Sequence, residues 1–139
     1  MKIKTFIVED SPTIRENLIA TLEELTEVST VGTAETETEG VTWLTSDSND
    51  WHLAIVDLFL KQGTGLGVVS ACKNRLPRQK VIVLSNYATP DIRKQCTLLG
   101  ADEVFDKSTE VELLLEFCVN LSLRLSEPDP KAASILLTP

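Results

Sequence analysis

Five polar positions, Glu9, Asp10, Asp57, Ser85 and Lys107, each stand at or just beyond the end of a short apolar run. Glu9-Asp10 follow Ile3-Val8, Asp57 ends Ala54-Ile55-Val56, Ser85 ends Val81-Leu84, and Lys107 comes just after Val104-Phe105. If these ends converge, three carboxylates share one pocket. Two like charges about 4 Å apart cost roughly 4 kcal/mol at an effective dielectric near 20, so the cluster calls for a compensating cation. An all-oxygen donor set suits Mg²⁺, which binds one or two carboxylates, keeps some of its waters and accepts a phosphate oxygen. Zinc is disfavoured because no histidine or cysteine stands near these positions. Taken singly, Glu9-Asp10 reads as a solvated turn, Lys107 as a loop lysine and Ser85 as a strand-end hydroxyl; only the joint spacing points to metal and phosphoryl chemistry.

The elements that must position these residues are legible as alternation. Short β-rich runs, Ile3-Val8, Val28-Thr33, Leu53-Asp57, Lys80-Ser85 and Glu103-Phe105, are separated by stretches of helical period. That is the pattern of an α/β fold, a doubly wound five-stranded parallel sheet with helices on both faces. In such sheets ligands bind beyond the carboxyl ends of the strands at the topological switch point. With strand order 2-1-3-4-5, the first, third and fourth strands are neighbours and the polar ends meet.

The first helix is expected to open with Ser11 as N-cap and Pro12 at the first helical position, with Ile14, Leu18, Leu22 and Leu25 on the sheet. The second, within Thr36 to Ser46, contains Gly40 and many threonines and should be short or frayed. The third is marked by Val69-Cys72-Leu76 and followed by Pro77. The fourth is marked by Ile92-Cys96-Leu99 and closed by Gly100. The fifth carries Val111, Leu114, Leu115, Cys118 and Leu125, with Thr109 and Glu112 spaced as a capping box. Residues 1–125 should form one domain; the remainder, 126–139, has two prolines and no periodic face, as expected of a flexible tail or linker stub.

A chain of 139 residues is in the one-domain range, and 42% hydrophobic with 24% charged residues is ordinary for a globular protein. The formal net charge of −8 repels nucleic acid and anionic membrane surfaces. The apolar run Phe6-Ile7-Val8 is far too short for a signal peptide or a membrane span, so a cytoplasmic location is expected. Cys72, Cys96 and Cys118 lack metal-ligand spacing and are expected to be buried, reduced thiols. The single histidine, His52, has no partner histidine or cysteine and is read as structural.

Over about residues 2 to 125 the chain resembles the receiver domains of two-component response regulators, the (βα)5 flavodoxin-like fold. The acidic pair in VEDSP, the aspartate ending IVDLFL, the hydroxyl residue ending VIVLSN and the lysine in GADEVFDK match in type and order, and Ser85 precedes Lys107 by 22 positions, close to the usual separation. The resemblance implies that Asp57 accepts a phosphoryl group as a carboxylate nucleophile. It implies Mg²⁺ held by Glu9, Asp10, Asp57 and the backbone carbonyl of Phe59, with Lys107 and Ser85 stabilising the phosphoryl oxygens. A sensor histidine kinase or a histidine phosphotransfer protein would be the donor. A downstream effector would read the face formed by the fourth helix, fifth strand and fifth helix, and a homodimer formed on phosphorylation is a further implied partner. Neither direct nucleic-acid contact nor membrane attachment is expected.

The sequence departs from the family pattern in places. Val104 stands where receivers usually carry the aromatic that swings on activation; Tyr87, two residues after Ser85, is a candidate to take over part of that signal. Ser108 stands where a proline, commonly with a cis bond, would follow the lysine, so a trans linkage or a strained loop is expected. Lys61 replaces a common proline, and Gly63, Gly65 and Gly67 read as a permissive turn, not as a nucleotide loop. Phe59 and Tyr87 flank the expected phosphoryl position and should hinder water, lengthening the life of the phosphorylated state.

Two other classes compete. A metal-dependent phosphatase using an aspartyl phosphate would want a second acid two residues after the nucleophile, where Phe59 stands. A phosphorylation-independent binding module would lack a site residue, and none is missing. The expected function is therefore a phosphoacceptor switch, not an enzyme that turns over substrate.

Overall fold

In the computed structural model, residues 2–127 are described. The elements run β1 (Ile3–Val8), α1 (Pro12–Leu25), β2 (Val28–Ala34), α2 (Glu37–Leu44), β3 (Leu53–Val56), α3 (Gly65–Ala71), β4 (Lys80–Ser85), α4 (Pro90–Leu98), β5 (Glu103–Asp106) and α5 (Val111–Leu125). All strand pairs are parallel and the order is β2-β1-β3-β4-β5, the doubly wound arrangement. The chain steps outward from β1 to β2 and then returns past it to β3, which puts the switch point between β1 and β3.

Alternating side chains along the central strands β1, β3 and β4 feed two cores, which is why these strands read as nearly continuous apolar runs, while the edge strand β2 is partly exposed. One face carries Phe6, Val8, Ala54, Val56, Val81, Val83 and Val104, packed with Leu44, Val68, Val69, Cys72 and Cys96 of α2, α3 and α4 and their flanks. The other carries Ile7, Leu53, Ile55, Ile82, Leu84 and Phe105, packed with Leu22 of α1 and Leu114, Cys118, Leu121 and Leu125 of α5. The three cysteines are free and buried. Burial pushes the Cys72 thiol up to about 11 and that of Cys118 to about 12. His52 is structural: its Nδ1 accepts the Lys4 backbone N–H at 3.0 Å.

The start of α1 agrees with expectation, and three further helices open on a hydroxyl cap that the sequence had not singled out. Ser11 accepts from the Ile14 N–H ahead of Pro12, and Thr36, Thr64 and Thr89 cap α2, α3 and α4 in the same way. Gly100 closes α4 at φ +110°, a left-handed position that suits glycine.

Three expectations are corrected. The buried face of α1 is Leu22 with Leu18 and Ile19 beside it, whereas Ile14 and Leu25, in the end turns, are 42% and 58% exposed. Helix α3 stops at Ala71, so Leu76 lies outside it and is exposed. Arg75 accounts for the early stop: its guanidinium takes the carbonyls of Cys72, Gln79 and Gly100 and pairs with Asp102, replacing helical bonds. No capping box forms at α5, where the N-cap is Glu110, whose side chain bonds no N–H of the helix's first turn. The Thr109 N–H is instead taken by Asp106 Oδ1, which also accepts the Ser108 N–H and hydroxyl. The expected tail, apart from its first two residues, lies outside the described residues.

Candidate functional site

The carboxyl ends of β1, β3 and β5 bring Glu9, Asp10, Asp57 and Lys107 together, and β4, which ends in Ser85, lies between β3 and β5. A carboxylate oxygen from each of Glu9, Asp10 and Asp57 lies within 4.8 Å of the others. Glu9 and Asp57 are buried and Asp10 is half-buried. Glu9 follows β1 directly, its N–H bonded to the Ala34 carbonyl of β2, and Asp57 follows β3, its N–H bonded to the Val8 carbonyl of β1. The sheet register thus sets the two acids side by side.

Lys107 reaches into this cluster from beyond β5. Its Nζ donates to Glu9 Oε1 at 2.8 Å and to Asp57 Oδ2 at 2.9 Å. Burial is the strongest influence on the amine and favours its neutral form, but the bonds and charges of Glu9 and Asp57 prevail and raise its pKa above the ordinary lysine value. Burial, and then the neighbouring Asp57, push the Glu9 carboxyl up to about 7 against the pull of Lys107. One ammonium does not neutralise three acids. Glu9 Oε2 is a buried oxygen with no hydrogen-bond partner. An all-oxygen cluster with an orphaned buried carboxylate oxygen fits a hard cation such as Mg²⁺.

Ser85 is fully buried at the end of β4. Its Oγ accepts the Tyr87 N–H at 3.0 Å, so the hydroxyl proton is left to donate, and its carbonyl accepts the Lys107 N–H at 3.0 Å. Phe59 and Tyr87 meet edge to face at the site's rim, ring centroids 5.1 Å apart, both more than half exposed. Phe59 also directs its N–H at Asp57 Oδ1 at 3.4 Å, a long contact. Val104 is buried in the core and offers no ring to swing. No cis peptide occurs among the described residues, so the Lys107-Ser108 bond is trans.

The glycine turn has a stricter purpose than permissiveness. A Cβ on Gly65 would lie 2.1 Å from the Asp57 carbonyl oxygen, so only glycine lets the turn into α3 close over the end of β3. Gly63 and Gly67 likewise leave room for Glu37, whose Oε1 accepts the Thr64 N–H at 2.9 Å.

Sequence reasoning missed the ring of ion pairs around the pocket. Arg15 donates to the Glu9 carbonyl at 2.8 Å and to Glu35 at 3.2 Å, and Lys61 donates to the other Glu35 oxygen at 3.0 Å. It also missed Arg93, which donates to the carbonyls of Ala88 and Val104, each at 2.9 Å, and pairs with Glu110. Their partners are distant in sequence, and a lone surface charge carries no signal of whom it will meet.

The fold and site define a doubly wound α/β domain with a cluster of acids and a lysine at its switch point. The family profile for the response regulator receiver domain matches residues 5–118, and the chain belongs to that family, the receivers of two-component systems. It is 30% identical over 132 residues to the response regulator protein PilR of Pseudomonas aeruginosa, covering 95% of this chain and 28% of PilR. It is 24% identical to the DNA-binding transcriptional activator DevR/DosR of Mycobacterium tuberculosis, covering 97% of this chain and 61% of that protein. The chain thus spans less than two thirds of these relatives. In fold it is similar to a Francisella response regulator receiver domain, with TM-score 0.76 and 17% identity over 90% of this chain and all of the other. It is similar too to a Burkholderia pseudomallei response regulator protein solved with a phosphorylated aspartic acid, calcium ion and citrate, with TM-score 0.69 and 24% identity over 98% of this chain and 75% of the other. No helix among the described residues is long and apolar enough to cross a membrane.

Proposed function

We propose that the chain is a phosphoacceptor switch in which Asp57 takes a phosphoryl group from a phosphohistidine of a sensor kinase or phosphotransfer protein. The observation that carries this reading is the bridge of Lys107 between Glu9 and Asp57 inside a cluster of three acids. An Asp57 carboxylate oxygen forms the new O–P bond as the donor's N–P bond breaks, and the electron pair of that bond returns to the imidazole. Glu9, Asp10, Asp57 and the Phe59 carbonyl would hold Mg²⁺, which when bound supplies the positive charge that three carboxylates and a phosphoryl group need in one pocket.

Lys107 meets the oxygen charge that develops at phosphorus, and the Ser85 hydroxyl donates its spare proton to a phosphoryl oxygen. Drawing Ser85 toward that oxygen displaces the following loop, and with it α4, β5 and α5, the face offered to an effector protein or an appended output domain. The change is a shift between two packings, not a new fold. That PilR and DevR/DosR are longer regulators, and that the Burkholderia protein carries a phosphorylated aspartic acid, supports this role. Kinase-dependent phosphorylation and free, buried thiols agree with a cytoplasmic setting, and a homodimer formed on phosphorylation belongs to the same reading.

Mixing the protein with Mg²⁺ and acetyl phosphate and weighing it intact tests this. One phosphate per chain, absent when EDTA replaces Mg²⁺ and absent in Asp57→Asn, is the expected result; no mass gain overturns it. Sustained hydrolysis of a phosphomonoester would favour a phosphatase instead, and a stoichiometric adduct without turnover favours the switch.

A further inference from the structure

The loops that carry Ser85 and Lys107 are tied together by a pair of residues outside the acidic pocket. Arg93, in the first turns of α4, spreads its three guanidinium nitrogens over three segments. Nε donates to the Ala88 carbonyl in the loop after β4, Nη1 to the Val104 carbonyl of β5, and Nη2 pairs with Glu110 at the start of α5. Glu110 uses the same oxygen, Oε1, to accept the Asp106 N–H at 2.9 Å. Asp106 immediately precedes Lys107, and its carboxylate closes the turn by accepting from Ser108 at 2.8 Å and Thr109 at 3.1 Å. Lys107 therefore sits on a turn held from one side by the Ser85 carbonyl and from the other by Glu110.

We infer that Arg93 and Glu110 are a positioning pair, which holds the loop after β4 against the turn after β5 and so fixes where Lys107 presents its ammonium to Asp57. The inference rests on the phosphoacceptor reading and deepens it. As an isolated ion pair on a partly exposed surface the contact would contribute little. Its weight lies in geometry: a planar fork meets three acceptors at once, which a lysine cannot do. The pair also spans the three elements that the proposed switch moves. Where the buried Val104 offers no ring to couple the two loops, the Arg93 fork on the Val104 carbonyl supplies a direct mechanical link.

Phosphorylation of the full chain by acetyl phosphate and Mg²⁺, followed by intact mass, tests the pair. Arg93→Ala, Glu110→Ala and the double variant should each slow adduct formation by the same factor, on the order of tenfold, because a displaced catalytic group costs rate and the two residues act as a unit. Arg93→Lys should behave like Arg93→Ala. In a Lys107→Ala background, Arg93→Ala should change the rate by less than about twofold, since the effect runs through Lys107. Equal slowing in both backgrounds, or a wild-type rate in Arg93→Ala, overturns the inference. A readout without metal or phosphate is available because Tyr87 is the single tyrosine. The ¹⁹F resonance of 3-fluorotyrosine at that position should shift in Arg93→Ala, which frees the adjacent Ala88 carbonyl; an unmoved resonance contradicts the pair. If wild type forms no adduct, the phosphoacceptor reading itself falls. If wild type forms it and the variants match, only the positioning pair falls.

Discussion

Lys107 Nζ lies 2.9 Å from Asp57 Oδ2, although fifty positions separate the two residues in the chain. The same ammonium holds Glu9 Oε1 at 2.8 Å, so a single cation bridges the acids that end β1 and β3. Everything the pocket can do depends on how that charge balance is kept.

Removing the bridge should be costly in the metal-free protein. Lys107→Ala leaves two buried carboxylates facing each other without a counter-charge, and should lower stability by about 3 kcal/mol in urea denaturation at pH 8 with EDTA. Asp57→Asn removes one of the like charges instead and should be no less stable than wild type. Millimolar Mg²⁺ should recover part of the loss in Lys107→Ala.

The raised pKa of Glu9 has a definite pH signature. Its folded value of about 7 lies above the ordinary 4.5, so between these values the folded protein holds a proton that the unfolded chain has released. Stability should therefore fall as pH rises from 4.5 to 7, by as much as about 3 kcal/mol, and then level off. Urea titrations of wild type against Glu9→Gln isolate the effect, because the contribution of His52 is common to both. Since binding Mg²⁺ requires the ionised carboxylate, its affinity should weaken by roughly tenfold per pH unit below 7.

Gly65 is the most sensitive glycine for the site. A methyl group there collides with the Asp57 carbonyl 2.1 Å away, so Gly65→Ala must shift either the turn or the end of β3. A loss of at least about 2 kcal/mol, with slowed phosphorylation, is expected. Gly100→Ala meets nothing nearer than 3.8 Å and carries only the strain of its φ of +110°, about 1 kcal/mol, with phosphorylation unaffected. Thermal melts and adduct rates of the two variants separate a steric effect at the site from ordinary backbone strain.

The aromatic pair at the rim should govern the life of the phosphorylated state. Phe59→Asn or Tyr87→Ala opens the approach for water and should speed phosphate loss by roughly tenfold, a barrier change of about 1.4 kcal/mol. Decay of the adduct followed by mass spectrometry measures it. Equal rates in wild type and variants would remove the idea that these rings exclude water.

The centre of the sheet was legible because its strands are buried on both faces: Ala54-Ile55-Val56 and Val81-Ile82-Val83-Leu84 leave no polar position for solvent, whereas the edge strand β2 is partly exposed. The site residues were legible for the same reason, standing where those runs turn polar. Helix ends were less so. Ile14 and Leu25 keep the spacing of a buried face, but spacing says nothing of how far a helix overhangs the sheet. The end of α3 depends on Arg75 reaching Gly100 and Asp102, 25 and 27 positions away. Thr109 and Glu112 have the spacing of a capping box, yet Asp106 competes for the same N–H and takes it. Gly65 could be seen as a turn residue, but not the carbonyl it must pass. The links from Lys61 to Glu35 and from Arg93 to Glu110 exist only once the loops are folded together.

The most direct test of the site is to find which side chain carries the phosphoryl group. Borohydride reduction of protein treated with Mg²⁺ and acetyl phosphate converts an aspartyl phosphate to homoserine, which peptide mass spectrometry then locates. The expected result is homoserine at position 57 alone, lost without Mg²⁺ and strongly reduced when both Glu9→Gln and Asp10→Asn are introduced. Reduction product at any other acid, or at position 57 in equal yield with EDTA, contradicts a magnesium-dependent phosphoacceptor built on Asp57.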